Sequence, residues 1–503
     1  MELCCELVDD VDSPLTASRA RSIPPLATTL ALLTVAIVTR MAVFGDPVAH
    51  VDDEFYLLTG HAMLGGQWPY VDIWDRKPIG LFLIYEAIAA IGGGHSVLAT
   101  HLIATLFAAA TAFVIARIAA LFAPPRAALL AGATYLVAIP MFGGQAAQSP
   151  IFYNLFMAAA ALLLMRAAVR GDPARTTRNA LIAMLLCGLS ITVKQIAFIE
   201  GAYFGLAFLF VMWRQQMRMR AMVPRATAMA LIALAPTIAA FLVYSAAGRG
   251  DAFVFANFVS IFLKQPIGDN SLTHGFLHLA KFMPPIAALG VGGLLSASRP
   301  RSPLIRGLLL GWLVAAILGY LFVPYFFDHY ALPMIVPLSI AAAPLYDRPR
   351  GWLFLALLTL YAAAFASLFS FPKHHRQRTL FNDLSAIVTR ELRGGCLFVA
   401  NGQTQLYQST GGCRLTPYVF PDHLSAKAEA GATPVDQLTE IRRVFAQRPA
   451  VVVTTANGLV RRTHAVDVFI ATQLRQHYRL VPTGMAGKPR KVTSMLVFSR
   501  RDR

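Results

Sequence analysis

Long apolar segments, separated by loops whose charge alternates, constrain this chain more tightly than any short motif. Candidate spans are Leu26–Phe44, Leu98–Arg117, Ala127–Phe142, Ile151–Arg166, Ala180–Val193, Ile196–Trp213, Ala226–Tyr244, Leu279–Leu295, Gly307–Val323, Ala331–Leu345 and Trp352–Leu368. Most approach the roughly 20 apolar residues that a bilayer core demands. About eleven such helices predict a polytopic α-helical membrane protein. Composition agrees, since 56% of the 503 residues are hydrophobic, 14% are charged and the mean hydropathy is +0.57. Soluble domains carry about 25% charged residues.

The formal charge of +18 would suit a nucleic-acid binder only if it lay on one face. Here it is scattered in short clusters between spans, so no nucleic-acid partner is expected. Arg19 and Arg21 precede the first span, and Arg117 and Arg126 follow the second. Arg166, Arg170, Arg175 and Arg178 follow the fourth, and Arg214, Arg218, Arg220 and Arg225 follow the sixth. Arg299, Arg301 and Arg306 follow the eighth, and Arg348 and Arg350 the tenth. If spans alternate, all these loops share the N-terminal side. The positive-inside rule then places the N-terminus in the cytoplasm and, with an odd count, the C-terminal region outside. The expected location is the inner membrane of a bacterium, with a periplasmic C-terminal domain. Pro78–Gly92 is apolar but short for a span, and reads as a juxtamembrane helix at the outer surface.

These assignments divide the chain into a cytoplasmic tail at 1–24, a transmembrane region at 25–371 with an outer loop at 45–97, and a soluble α/β domain at 372–503. The start is acidic and lacks the pattern of a signal peptide. In the last region Cys396–Ala400, Ala450–Thr455 and Ser494–Ser499 read as strands, and Leu380–Leu392 and Pro434–Phe445 as helices, with a sheet that is partly parallel. Cys396 and Cys413 can pair if that domain lies outside the cytoplasm, or can remain apart. No repeat of about 20–50 residues is visible.

The first outer loop concentrates the polar chemistry. It runs Val51-Asp52-Asp53-Glu54-Phe55-Tyr56, then Gly65-Gly66-Gln67-Trp68-Pro69-Tyr70-Val71-Asp72-Ile73-Trp74-Asp75-Arg76-Lys77-Pro78. Carboxylates beside apolar helices at a membrane surface suit a general base or a metal ligand, and an acidic loop can also be merely solvated. The order of acidic pair, helix-length gap, Gly-rich turn, Pro-Tyr and Asp-x-Lys-Pro resembles the first outer loop of one group. These are the GT-C fold glycosyltransferases of the protein O-mannosyltransferase and lipid A aminoarabinose transferase type. The resemblance covers roughly Leu26–Leu345 in span order. It implies Asp53 as the catalytic carboxylate, Glu54 as its partner and Lys77 as a phosphate or substrate contact, and leaves Asp52 as an adjacent alternative. Tyr70, in the Pro-Tyr pair, is a candidate substrate contact.

Three other places supply candidates. Gly143–Pro150 lacks the acidic residue that members of the family often carry near this loop, which speaks against a carboxylate-held metal; no cofactor is expected. Its Gln148, with Gln145 and Asn154, can hydrogen-bond sugar hydroxyls or serve as an ordinary loop residue. Lys194 lies between two apolar segments, where its partner is a lipid-linked phosphate, Glu200 or, by snorkelling, the surface. Finally, Tyr325-Phe326-Phe327-Asp328-His329-Tyr330 resembles the family's late aromatic-His-Tyr segment, making His329 a phosphate contact and Tyr325 and Tyr330 pocket residues. An interfacial aromatic belt competes for Phe326 and Phe327. Lys264 and Gln265 are weaker candidates.

The resemblance implies transfer of a sugar from a polyprenyl-phosphate carrier to a hydroxyl on a glycan, lipid or protein acceptor at the outer face, with inversion. The alternative is a transporter or flippase of a lipid-linked saccharide. That reading demands charges at mid-span depth and often internal repeats, whereas here the polar residues gather in outer loops.

Overall fold

The computed structural model describes residues 24–265, 269–296, 302–322, 326–366, 368–455, 463–485 and 490–502. The tail at 1–23 and Tyr325 lie outside the described residues.

The chain is a bundle of apolar helices joined to a small α/β unit. α1 (Pro25–Arg40) starts with proline at a position where the missing N–H costs nothing. α2 (Val51–Leu64) is capped by His50, whose Nδ1 accepts from the Asp52 backbone N–H at 3.2 Å. Its first turn carries Asp52, Asp53 and Glu54, where the positive end of the helix favours negative charge. α3 (Ile79–Gly92) is the expected short helix. It ends at Gly93, whose φ of +49° suits glycine, and one turn later α4 (Ser96–Ala119) begins. α3 crosses α2 closely: a Cβ at Gly60 would collide with the Tyr85 carbonyl.

α5 (Pro125–Ala138), α6 (Ser149–Arg170), α7 (Pro173–Val193), α8 (Phe198–Arg214) and α9 (Met219–Ala246) follow. α10 covers Gly250–Leu263. α11 (Asp269–Leu295) and α12 (Pro303–Phe322) complete the long helices. Among the described residues nine segments are long and apolar enough to cross a membrane, one of them joining α3 to α4. They coincide with the first nine expected spans. The last two are shorter: α13 (Leu332–Ala341) with α14 (Ala343–Tyr346), and α15 (Trp352–Phe365). α9 presents nearly all of its surface outward, as a lipid-facing helix does, whereas α5 and α6 are mostly buried.

α16 (Phe371–Leu392) leads into the α/β unit and grips the loop after α1. His374 Nδ1 lies 2.7 Å from Asp46 Oδ2, and Gln377 donates to the Val48 carbonyl at 2.6 Å. The remaining elements are β1 (Cys396–Val399), α17 (Gln405–Thr410), β2 (Cys413–Arg414), α18 (Pro421–Ser425), α19 (Gln437–Ala446), β3 (Val451–Thr455), α20 (His464–His477), β4 (Tyr478–Val481), α21 (Arg490–Thr493) and β5 (Met495–Arg500). The sheet order is β2-β1-β3-β5-β4. β1 runs parallel to β2 and β3, while β5 is antiparallel to β3 and β4, so the sheet is partly parallel as expected. Central β3 is buried along its whole length, which explains its continuous Val-Val-Val run. Cys396 and Cys413 form a disulfide between β1 and β2.

Candidate active site

Three consecutive carboxylates at the start of α2 point in three directions, because an α-helix turns about 100° per residue. Asp53 faces the bundle. It is 6% exposed, and its Oδ2 accepts the Ala147 N–H at 2.7 Å. The same loop, between α5 and α6, is held by Tyr85, whose hydroxyl donates to the Ala147 carbonyl at 2.8 Å, and by Arg40. The fully buried Arg40 donates to the carbonyls of Gly144 and Ala146 and to Thr105 Oγ1. Glu54 faces the C-terminal unit, where it accepts the Gln405 N–H at 3.3 Å and is within 3.0 Å of the Gln403 amide.

Asp52 faces neither. Its charge acts on Lys77, Asp75, Lys194 and Tyr330. The charge of Asp53 acts on Arg40 and Tyr85, and that of Asp52 reaches Tyr85 as well.

The loop from Tyr70 to Lys77 folds back on itself. Tyr70 takes a φ of +72°, donates its N–H to the Ile73 carbonyl at 2.8 Å and its hydroxyl to the Lys77 carbonyl at 2.9 Å. Its ring packs among Phe82, Tyr244 and Phe253. Tyr70 thus shapes the turn that presents Lys77. Burial alone would lower the Lys77 ammonium, but Tyr330, Asp52 and Asp75 outweigh it and hold its pKa above the ordinary lysine value. Burial raises the Asp75 carboxyl, with Lys77 and Arg76 opposing.

Lys194 sits where α7 ends, in an extended residue between α7 and the turn that leads to α8. It is 6% exposed, and its Nζ lies 3.8 Å from the centroid of the Tyr330 ring. Next to it, the Gln195 amide donates to the Arg76 carbonyl at 2.8 Å, tying this break to the Lys77 loop. His329 packs edge-on against Tyr330 and against His50, with centroids 4.8 and 5.9 Å apart. Gln148 Nε2 in turn lies 2.6 Å from His50 Nδ1.

Lys77, Lys194, His329, Tyr330 and, through His50, Gln148 are thus brought together at the N-terminal end of α2. Asp53, Glu54 and Tyr70 adjoin this cluster but are engaged with backbone or with the C-terminal unit. Glu200 accepts from Trp312 Nε1 at 2.7 Å inside the bundle. Lys264 forms an ion pair with Glu429 at 3.0 Å. Sequence reasoning missed His50, Arg40 and Arg76. An arginine at the end of a span is costly unless partnered, and that signal was available for Arg40. Among the described residues no group of three or more His, Cys, Asp and Glu is arranged to hold a metal.

No family model matches the chain, and no curated relative does. Solved structures do resemble it. ArnT from Cupriavidus metallidurans bound to undecaprenyl phosphate aligns with a TM-score of 0.66 at 13% identity, covering 95% of this chain and 98% of that one. The archaeal oligosaccharyltransferase AglB from Archaeoglobus fulgidus, in complex with an inhibitory peptide and a dolichol-phosphate, aligns with a TM-score of 0.51 at 12% identity, covering 92% of this chain and 74% of that one. Helical bundle and C-terminal unit together give this chain the GT-C fold.

Proposed function

We propose that this protein is a membrane glycosyltransferase that moves a sugar from a polyprenyl-phosphate carrier to an acceptor hydroxyl. The observation that carries the reading is the convergence of Lys77, Lys194, His329 and Tyr330 at the N-terminal end of α2, in loops separated by long stretches of sequence. The likeness to ArnT over nearly the whole of both chains supports it, as do the sequence features of the first outer loop.

The reaction breaks the bond between the anomeric carbon and the phosphate oxygen while the acceptor oxygen attacks the opposite face, with inversion. Charge development at the sugar is oxocarbenium-like, as in glycoside cleavage. Asp52 takes the proton of the acceptor hydroxyl, which contributes about 10² to 10⁴ in rate for a positioned base. Lys77 and Lys194 face the negative charge that accumulates on the departing phosphate, and His329 donates a hydrogen bond to it. The Tyr330 ring holds the Lys194 ammonium from its face. Asp53 and Glu54 keep α2 in place against the second outer loop and the C-terminal unit. Of the adjacent pair, Asp52 is our choice of general base, with Asp53 as the alternative.

The charge bias of the loops supports a site on the outer leaflet of a bacterial inner membrane, with the N-terminus in the cytoplasm and the C-terminal unit in the periplasm. The acceptor is a glycan, lipid or protein hydroxyl. Purified protein in lipid vesicles, incubated with polyprenyl-phosphate sugars labelled in the carrier, tests the reading. Release of free carrier phosphate that Asp52→Asn abolishes is expected. Movement of intact donor across the bilayer without release would mark a transporter and overturn it.

A further inference from the structure

The loop that presents Lys77 is held from the C-terminal unit as well as from the bundle. Trp74 is 1% exposed and lies in the apolar cluster of that unit, with Phe398, Tyr418, Leu424 and Ile441. Its N–H donates to the Pro417 carbonyl at 3.0 Å. Asp75 Oδ1 lies 3.8 Å from His423 Nε2. Arg76 forms a two-pronged ion pair with Glu429: its Nη1 donates to Oε1 at 3.0 Å and its Nη2 to Oε2. Glu429 also meets Lys264, and Ser260, which accepts from Arg76 Nε at 3.2 Å, donates to the Ala432 carbonyl at 2.6 Å. Gln265 reaches the same stretch, donating its N–H to the Ala428 carbonyl.

A bidentate arginine–carboxylate pair fixes orientation as well as charge. Both partners are largely buried, with side chains 12% and 5% exposed, so breaking the pair costs far more than breaking a surface ion pair. The backbone of Arg76 is continuous with Lys77 and accepts from Gln195, the neighbour of Lys194. Movement of Arg76 would therefore be felt at both lysines.

We propose that Glu429 is a positioning residue for the phosphate subsite, acting through Arg76, and that the C-terminal unit is a structural part of that subsite. This rests on the reading of Lys77 and Lys194 as phosphate contacts. Glu429 touches no reacting atom. It fixes the loop whose next residue does, and displacements on the order of 1 Å can cost about a hundredfold in rate.

The test is equilibrium binding of undecaprenyl phosphate to the full-length protein in detergent or nanodiscs, with the melting temperature measured in parallel. Variants are Glu429→Gln, Glu429→Asp, Lys77→Ala and, as a buried acid in the same unit, Glu440→Gln, which removes the ion pair with Arg443 at 2.6 Å. Expected is a loss of affinity of tenfold or more in Glu429→Gln, partial recovery in Glu429→Asp, and affinity within twofold of wild type in Glu440→Gln. Loss in Lys77→Ala with unchanged affinity in Glu429→Gln would overturn the positioning role alone. Unchanged affinity in Lys77→Ala would overturn the reading of the site beneath it. Equal losses in Glu429→Gln and Glu440→Gln, tracking melting temperature, would reduce Glu429 to general stability and also overturn the proposal.

Discussion

The Lys194 ammonium lies 3.8 Å from the centroid of the Tyr330 ring, joining the break after α7 to the loop before α13. A cation over an aromatic face is worth up to about 2 kcal/mol when desolvated, or roughly thirtyfold in an equilibrium. Tyr330→Phe keeps the ring and is expected to hold the KM for the lipid donor within about threefold of wild type. Tyr330→Leu removes it and is expected to raise that KM about tenfold to thirtyfold. Steady-state kinetics on the two variants check this.

Asp52 and Asp53 are adjacent and are expected to fail differently. Asp52→Asn should lower kcat by about 10² to 10⁴ and leave the melting temperature near wild type. Asp53→Ala removes the acceptor of the Ala147 N–H and should cost about 2 kcal/mol of stability. Measuring kcat and thermal unfolding on both variants separates the two roles. Equal loss of kcat in both without destabilisation would contradict the division.

The disulfide between Cys396 and Cys413 closes a short loop, with a sequence separation of 17. Such a bridge is typically worth about 2–4 kcal/mol. Cys396→Ser is expected to lower the unfolding midpoint of the C-terminal unit accordingly. Mass spectrometry of protein isolated from membranes with free thiols blocked should find both cysteines oxidised, since such bridges persist outside the cytoplasm.

Burial alone would raise the Glu429 carboxyl, but Arg76 and Lys264 outweigh it and hold it well below the ordinary carboxylate range. A depressed folded-state pKa stabilises above the unfolded value and is lost as pH falls through the folded one. The contact between the C-terminal unit and the Lys77 loop should therefore hold down to about pH 4.3, the ordinary glutamate value, and weaken only below it. Limited proteolysis of the C-terminal unit across an acid pH series checks this, with Glu429→Gln expected to be cleaved faster throughout.

The spans were legible because a bilayer leaves few solutions for an apolar run near 20 residues, and among the described residues the nine long apolar segments fall where those runs lie. The short α3 was legible from its length and from the glycines after it. The strands β1, β3 and β5 were legible as short apolar or β-branched runs bounded by turn residues, and the partly parallel sheet from the mixture of strands and helices. The choice between Asp52 and Asp53 was not legible. It depends on the rotational phase of α2, which is fixed by contacts with the Ala147 loop and the Gln405 backbone. The Arg76–Glu429 pair joins positions 353 apart and leaves no local pattern. Trp74 reads as one aromatic among several in its loop, and only the fold reveals that it belongs to the core of the C-terminal unit.

The central claim is that Lys77 and Lys194 hold one phosphate between them. A double-mutant cycle on undecaprenyl phosphate affinity, using Lys77→Ala, Lys194→Ala and the pair, tests it most directly. Each single change is expected to weaken binding about tenfold or more, with a coupling of about 0.5 kcal/mol or larger, as for residues that share a partner. Single variants that bind as tightly as wild type, or losses that simply add, would contradict a shared phosphate site.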